Sequence, residues 1–144
     1  MVATVETKIW MAIKEAIQAA SGGLPIAWRD EQFQPPQTAT GHLPFLAVGD
    51  VATVTRPLIG SSSVKEHTGI VTLSYVAPLG YDAAWYIQRA SALLNGFPLD
   101  RGSVFQGVCV KWGNPPAVPR IDRGYRDDGY IRTPVIIPWR CAAR

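Results

Sequence analysis

The sequence is poor in the residues that most chemistry needs. It has only two cysteines and two histidines in 144 residues, and charged side chains make up 17%. Two cysteines cannot build a disulfide scaffold, and Cys109 and Cys141 lack zinc-site spacing. His42 and His67 are 25 residues apart and show neither HxH nor HxxxH spacing, so they read as lone surface histidines. No apolar run approaches the ~18–20 residues needed to span a bilayer. The start, MVATVETK, lacks the apolar segment of a secretory signal. The expectation is a chain made in a reducing cytoplasm with no membrane partner. There is no GxxxxGK[ST], GxGxxG or GxSxG, so neither phosphate-cradling loops nor a nucleophile elbow are expected. Neither cysteine has an obvious activating base, and both lie in apolar stretches that suggest buried small hydrophobes.

Apolar residues, by contrast, reach 47%, which is enough for a packed core. The length suits one domain, taken as 1–144. Net charge is +3, but residues 1–72 sum to −1 and residues 73–144 to +4, and ten of the 14 bases are arginine. In the most basic stretch, Arg120, Arg123, Arg126 and Arg132 are interleaved with Asp122, Asp127 and Asp128. Mixed signs suit salt bridges better than a phosphate track. The pair Asp127-Asp128, flanked by glycines in GYRDDGY, reads as turn chemistry. Five tryptophans are many for this size, and tryptophan and arginine are favoured at protein interfaces.

Periodicity predicts a helix over 5–20, with Ile9, Ile13, Ala16, Ile17 and Ala20 in one stripe, Thr4 as N-cap and Gly22-Gly23 as the stop. Trp10 lies off the stripe. A short strand at 24–28 runs into an extended polar loop over 29–42. A strand over 43–54 with a bulge at Gly49 and a second over 67–77 make a long hairpin around the flexible tip Gly60-Ser61-Ser62-Ser63. Asp82 caps a second helix over 83–94, with the stripe Ala83, Ile87, Ala90 and Leu94. One strand is expected over 103–112, with Val104, Val108, Val110 and Trp112 on one face. A loop over 113–129 and a last strand over 130–141 follow. Pro134 and Pro138 both lack an N–H on the same lateral side, which predicts that this last strand lies at a sheet edge. The fold class is α+β: a mainly antiparallel twisted sheet with two helices packed on one face, a long β-hairpin and long loops.

Three segments carry a family resemblance: PIAWRDEQFQPP, the strand–APLG–helix passage HTGIVTLSYVAPLGYDAAWYIQRASALLNG, and the closing PVIIPWR. With the N-terminal helix and LPFLAVGDVATV, they resemble the tail-terminator proteins of long-tailed bacteriophages and related tail-like particles, the lambda tail terminator among them. None of these motifs is a catalytic fingerprint. The resemblance implies a structural virion protein of the tail or neck, not an enzyme and without cofactor or metal. It implies a homo-oligomeric ring, usually a hexamer, that caps the head-proximal end of the tail tube. Its partners would be the tail tube protein and the head connector or stopper protein, with DNA passing through the lumen without sequence-specific binding. On this reading Arg120, Arg123, Arg126, Asp127 and Asp128 make inter-subunit or axial contacts, and Ser61, Ser62, Ser63 and Lys65 face the tube. The alternatives are another head–tail joining, connector-completion protein, or a small enzyme or nucleic-acid-binding module.

Overall fold

The computed structural model describes residues 4–39, 41–57 and 64–143. Helix α1 spans Val5–Ala20 and α2 spans Ala83–Leu94. The strands are β1 (Ile26–Ala27), β2 (Gln37–Thr38), β3 (Gly41–His42), β4 (Phe45–Pro57), β5 (Lys65–Pro78), β6 (Gly102–Phe105), β7 (Val108–Trp112), β8 (Arg120–Ile121), β9 (Tyr125–Asp127) and β10 (Tyr130–Ala143). Eight of them form a mostly antiparallel sheet of order β1-β4-β5-β10-β7-β6, with β8 and β9 also paired to β10. The chain is therefore α+β. The pair β2–β3 stands apart as a two-stranded ribbon.

Both helices start where the sequence indicates. The Thr4 hydroxyl accepts from the Thr7 N–H at 3.2 Å, and the Asp82 carboxylate accepts from the Trp85 N–H at 2.9 Å. Each satisfies a backbone donor that the first helical turn leaves open. Helix α1 buries Ile9, Ala12, Ile13 and Ile17, and each isoleucine removed from water contributes on the order of 1.5–3 kcal/mol. Helix α2 is rotated from its expected orientation. It buries Tyr86, Ala90 and Leu93, while Ile87 is 54% exposed. The bulky Tyr86 wins the core position because its hydroxyl donates to the Pro78 carbonyl at 2.7 Å, a bond that Ile87 could not make.

Buried residues of both helices and of the sheet form one core cluster. Its centre is Leu46, Val71, Leu73, Val110, Trp112, Val135, Ile137 and Trp139, all essentially inaccessible. Strands β4 and β5 pair antiparallel from Phe45↔Val76 to Pro57↔Lys65, with a register shift between Val48 and Val51. There Gly49 and Asp50 oppose the single residue Thr72, a β-bulge at the expected glycine.

Three sequence expectations are corrected. Strand β10 is not an edge strand. It pairs with β5 along its whole length and, on its other flank, with β9, β8 and β7 in turn. The prolines do share one side, and it is this segmented flank. The Pro134 carbonyl accepts from the Asp122 N–H at 2.9 Å, and the Pro138 carbonyl from the Gly113 N–H at 2.6 Å. Pro134 falls between the β9 and β8 pairings and Pro138 between β8 and β7, so their missing donors fall where the partner strand is broken.

The segment 103–112 is a hairpin, not one strand. Gln106 (φ 48°) and Gly107 (φ 81°) form a two-residue turn closed by Phe105↔Val108. Positive φ at both centres matches the twist of the flanking strands. The turn shifts the alternation and leaves Val104 59% exposed. The expected loop over 113–129 is ordered: it holds a bridge between Asn114 and Ala117, then β8 and β9.

Two smaller corrections concern polar and sulfur side chains. His67 is buried, with Nδ1 3.0 Å from the Thr55 hydroxyl, and Cys109 is exposed. Cys141 alone is a buried thiol, and burial first, then the nearby Cys109, pushes its pKa up to about 11. Of the five tryptophans, Trp112 and Trp139 are buried, and Trp10, Trp28 and Trp85 are half-buried.

The quoted sequence segments now have structural reasons. In PIAW, Ile26-Ala27 runs parallel to Leu46-Ala47, and the Pro25 carbonyl accepts from the Leu46 N–H at 2.9 Å. In the closing PWR, Trp139 fills the core. Arg140 donates to the Gly113 carbonyl and to the Asp100 carboxylate, each at 2.6 Å, tying β10 to the turns around β6 and β7.

Candidate functional site

The residues singled out in 120–128 are brought together on the segmented flank of β10. Arg120 begins β8 opposite Ile136 and lies 3.4 Å from the Asp122 carboxylate. Arg126, in β9, lies opposite Ile131. Asp127 accepts from Arg132 at 2.6 Å, and Asp128 (φ 57°) makes the turn into β10, as GYRDDGY suggests. Arg123 and Arg126 are exposed and meet no carboxylate among the described residues. Lys65 is elsewhere, at the end of β5 opposite Ala143. Ala143 lies seven positions along β10 from Ile136, the partner of Arg120, about 23 Å of strand. Ser61, Ser62 and Ser63 lie outside the described residues.

A surface the sequence reading missed adjoins this flank. A groove of about 690 Å³ opens between the start of α2 and β8–β9. Leu79, Tyr81, Ile87 and Tyr125 line it and are 39–54% exposed; Ile121 and Ile131 are half-buried below them. Its wall is fixed by aromatic packing. Tyr81 stacks on Trp85 at 3.8 Å, and Trp85 meets Tyr86 edge-on at 5.2 Å. Arg89 lies 5.1 Å over the Trp85 ring, which keeps that cation on the helix. Beneath the ring sits Tyr75, whose pKa is raised by burial, with Arg89 opposing and Tyr81 adding to the shift. Thr133 lies at the groove floor, its hydroxyl without a hydrogen-bond partner among the described residues. The available signal was the spacing Tyr86, Ala90, Leu93 and Phe97, which competes with the stripe through Ile87 and places Ile87 outward.

The opposite lateral edge of the sheet holds a smaller cavity, about 340 Å³, beside β1. Trp10 and Trp28 meet edge-on at 6.0 Å, and Lys14 sits 5.0 Å over the Trp28 ring. A tight turn follows, in which the Glu31 N–H donates to the Trp28 carbonyl at 3.3 Å, and it presents Asp30 and Glu31 to solvent. Among the described residues no group of three His, Cys, Asp or Glu is placed to hold a metal ion, and no helix is long and apolar enough to cross a membrane.

A family model of phage tail terminator proteins matches residues 8–139. The chain belongs to the phage tail terminator family. It is a structural protein of the phage tail, a virion component, as the three quoted segments suggested. Two solved structures share the fold of this tail terminator at low identity. One superposes with a TM-score of 0.61 at 20% identity, over 95% of this chain and 92% of the other. The second is a chain from the virion of a native gene transfer agent particle, with a TM-score of 0.61 at 10% identity, over 99% and 100% of the two chains. No curated protein matches the sequence.

Proposed function

We propose that copies of this chain close into a ring, a hexamer, which caps the head-proximal end of the tail tube. The ring stops tube polymerisation and offers the surface on which the head connector docks. DNA passes through its lumen without being read, and no bond is made or broken. The observation that carries this reading is an unpartnered apolar surface at a sheet edge of a tail-terminator family member. Leu79, Tyr81, Ile87 and Tyr125 are contiguous around one groove and open to solvent. Patches of this kind on a small domain mark association sites. The flank carrying Arg120, Arg123, Arg126, Asp127 and Asp128 serves contacts between subunits. Ser61, Ser62 and Ser63, with Lys65 at the start of β5, face the tube.

Phage lysates lacking the protein distinguish this role from that of a connector-completion protein. Electron microscopy is expected to show tubes of excess and variable length. Tails of normal length without heads would transfer the assignment to the neck. In solution or on isolated tubes, a ring of six 15.7-kDa chains, roughly 94 kDa, is the expected assembled species.

A further inference from the structure

We propose that the seam between neighbouring copies is a head-to-tail contact. The acidic turn Trp28–Glu31 of one copy seats against the α2/β8–β9 groove of the next. The proposal rests on the ring reading above and names the surfaces that would close it.

The sheet places these two features on opposite sides. Strand β1 ends the strand order at one edge, and β8 and β9 flank β10 on the far side of β4 and β5. The strand register relates β1 to the groove. Ile26 is level with Leu46, Leu46 with Tyr75, and Tyr75 with Thr133. Thr133 lies between Arg132, which pairs with Tyr125, and Val135, which pairs with Ile121. The Trp28–Glu31 turn continues along the strand direction from β1 and lines a cavity with Val48, Gly49 and Thr53, so it lies further along the strands than the groove, towards the level of Val135 to Trp139. Two different surfaces on opposite sides of the sheet allow a heterologous, head-to-tail contact, the kind from which cyclic rings are built.

The charges are complementary. Arg123 and Arg126 rim the groove with no carboxylate partner among the described residues. Asp30 and Glu31 are exposed and carry no ion pair among the described residues; Arg29 stands between Trp28 and Asp30 in the same turn, and the neighbouring Lys14 is held over the Trp28 ring. Apolar surface exists on both sides, with half-buried Trp10 and Trp28 behind the acids and Ile87 and Tyr81 behind the arginines. An apolar centre with a charged rim is the usual plan of a protein interface. Neither face is self-complementary, so the occupant that fits is a second copy in head-to-tail order.

Charge reversal tests the seam. R123E/R126E and D30K/E31K alter only exposed side chains, so both proteins should keep the fold and melting behaviour of the parent. Each alone is expected to assemble at least tenfold more weakly, by mass in solution and by ring images on isolated tubes. Mixed in equal amounts, the two should assemble again. In alternating order every reversed groove then meets a reversed turn and every native groove a native turn. A single chain with all four substitutions should also recover. Ile87→Asp should break rings, and no charge change should rescue it. Rings that persist in R123E/R126E, or folded variants that fail to complement on mixing, would overturn the seam. Variants that form rings but fail to cap tubes or hold the connector would assign the groove to that partner and also overturn it. If the unaltered chain forms rings neither in solution nor on tubes, it is the ring reading that fails.

Discussion

At the scale of single residues, Trp139 shows how packing and polarity compete. It is inaccessible, yet its indole N–H has no hydrogen-bond partner among the described residues. An orphaned buried donor costs about 1–3 kcal/mol, whereas a tryptophan-sized cavity costs about 3–5 kcal/mol. Trp139→Ala should therefore lower the unfolding free energy by about 3–5 kcal/mol in urea titration. Trp139→Phe should lose clearly less, because it keeps most of the ring and removes the stranded donor. The two thiols should differ in reactivity: exposed Cys109 alkylates in the native protein, and buried Cys141 only after unfolding, as peptide mass analysis can show. Because the folded pKa of Cys141 is raised to about 11 from 9.0, the unfolded chain loses that proton first. Native stability is then full below about pH 9 and falls as pH rises toward about 11. Tyr75, raised by burial, acts in the same direction at somewhat higher pH. Denaturant midpoints across this range should fall, and Cys141→Ala should flatten the early part of the decline.

At the scale of elements, local pattern located the helices well, because caps and stops are written in adjacent residues. Thr4, Asp82 and Gly22-Gly23 needed no tertiary information. The face α2 presents did need it, since two stripes were available and the Tyr86–Pro78 bond selects one. The β6–β7 turn was legible in principle as Gln-Gly between alternating runs. Its backbone conformation favours asparagine at the first centre, so Gln106→Asn should stabilise by a few tenths of a kcal/mol up to about 1 kcal/mol. Gly107→Val should cost more than that, both read by thermal melts. Gly102 is a different case. A Cβ there would run into the Val110 carbonyl, so Gly102→Ala should separate β6 from β7 and lose stability although its φ is ordinary. The two prolines of β10 were read correctly for side and wrongly for position. A proline requires only that no donor is needed beside it, and a broken partner strand meets that requirement as well as solvent does.

At the scale of the whole molecule, the sheet acts as a spacer that holds two unlike surfaces at opposite edges. Their charged rims are exposed, and exposed pairs are screened over about 10 Å at 0.1 M salt. Ring mass should therefore fall as NaCl is raised from about 0.05 M to about 0.5 M at fixed protein concentration, as light scattering can follow. An assembly indifferent to salt would indicate a seam dominated by apolar contact around Ile87. Of this candidate surface, the arginines were legible because charge is visible in any string of residues. The groove was not, since Leu79, Tyr81, Ile87 and Tyr125 come from three separate segments, and their common exposure exists only once β8 and β9 pair with β10.

The linear chain was enough to establish a packed α+β protein, two capped helices, the bulge at Gly49 and membership of the tail-terminator family, all of which rest on neighbours in sequence or on short spacings. Folding alone decided that β10 is central, that His67 and Cys141 are buried while Cys109 is not, and that an apolar groove faces solvent beside arginines that meet no carboxylate among the described residues. Those outcomes depend on which strand lies beside which. Burial and strand neighbours are properties of long-range pairing, and alternation along one strand gives the side on which a residue points but not what stands there.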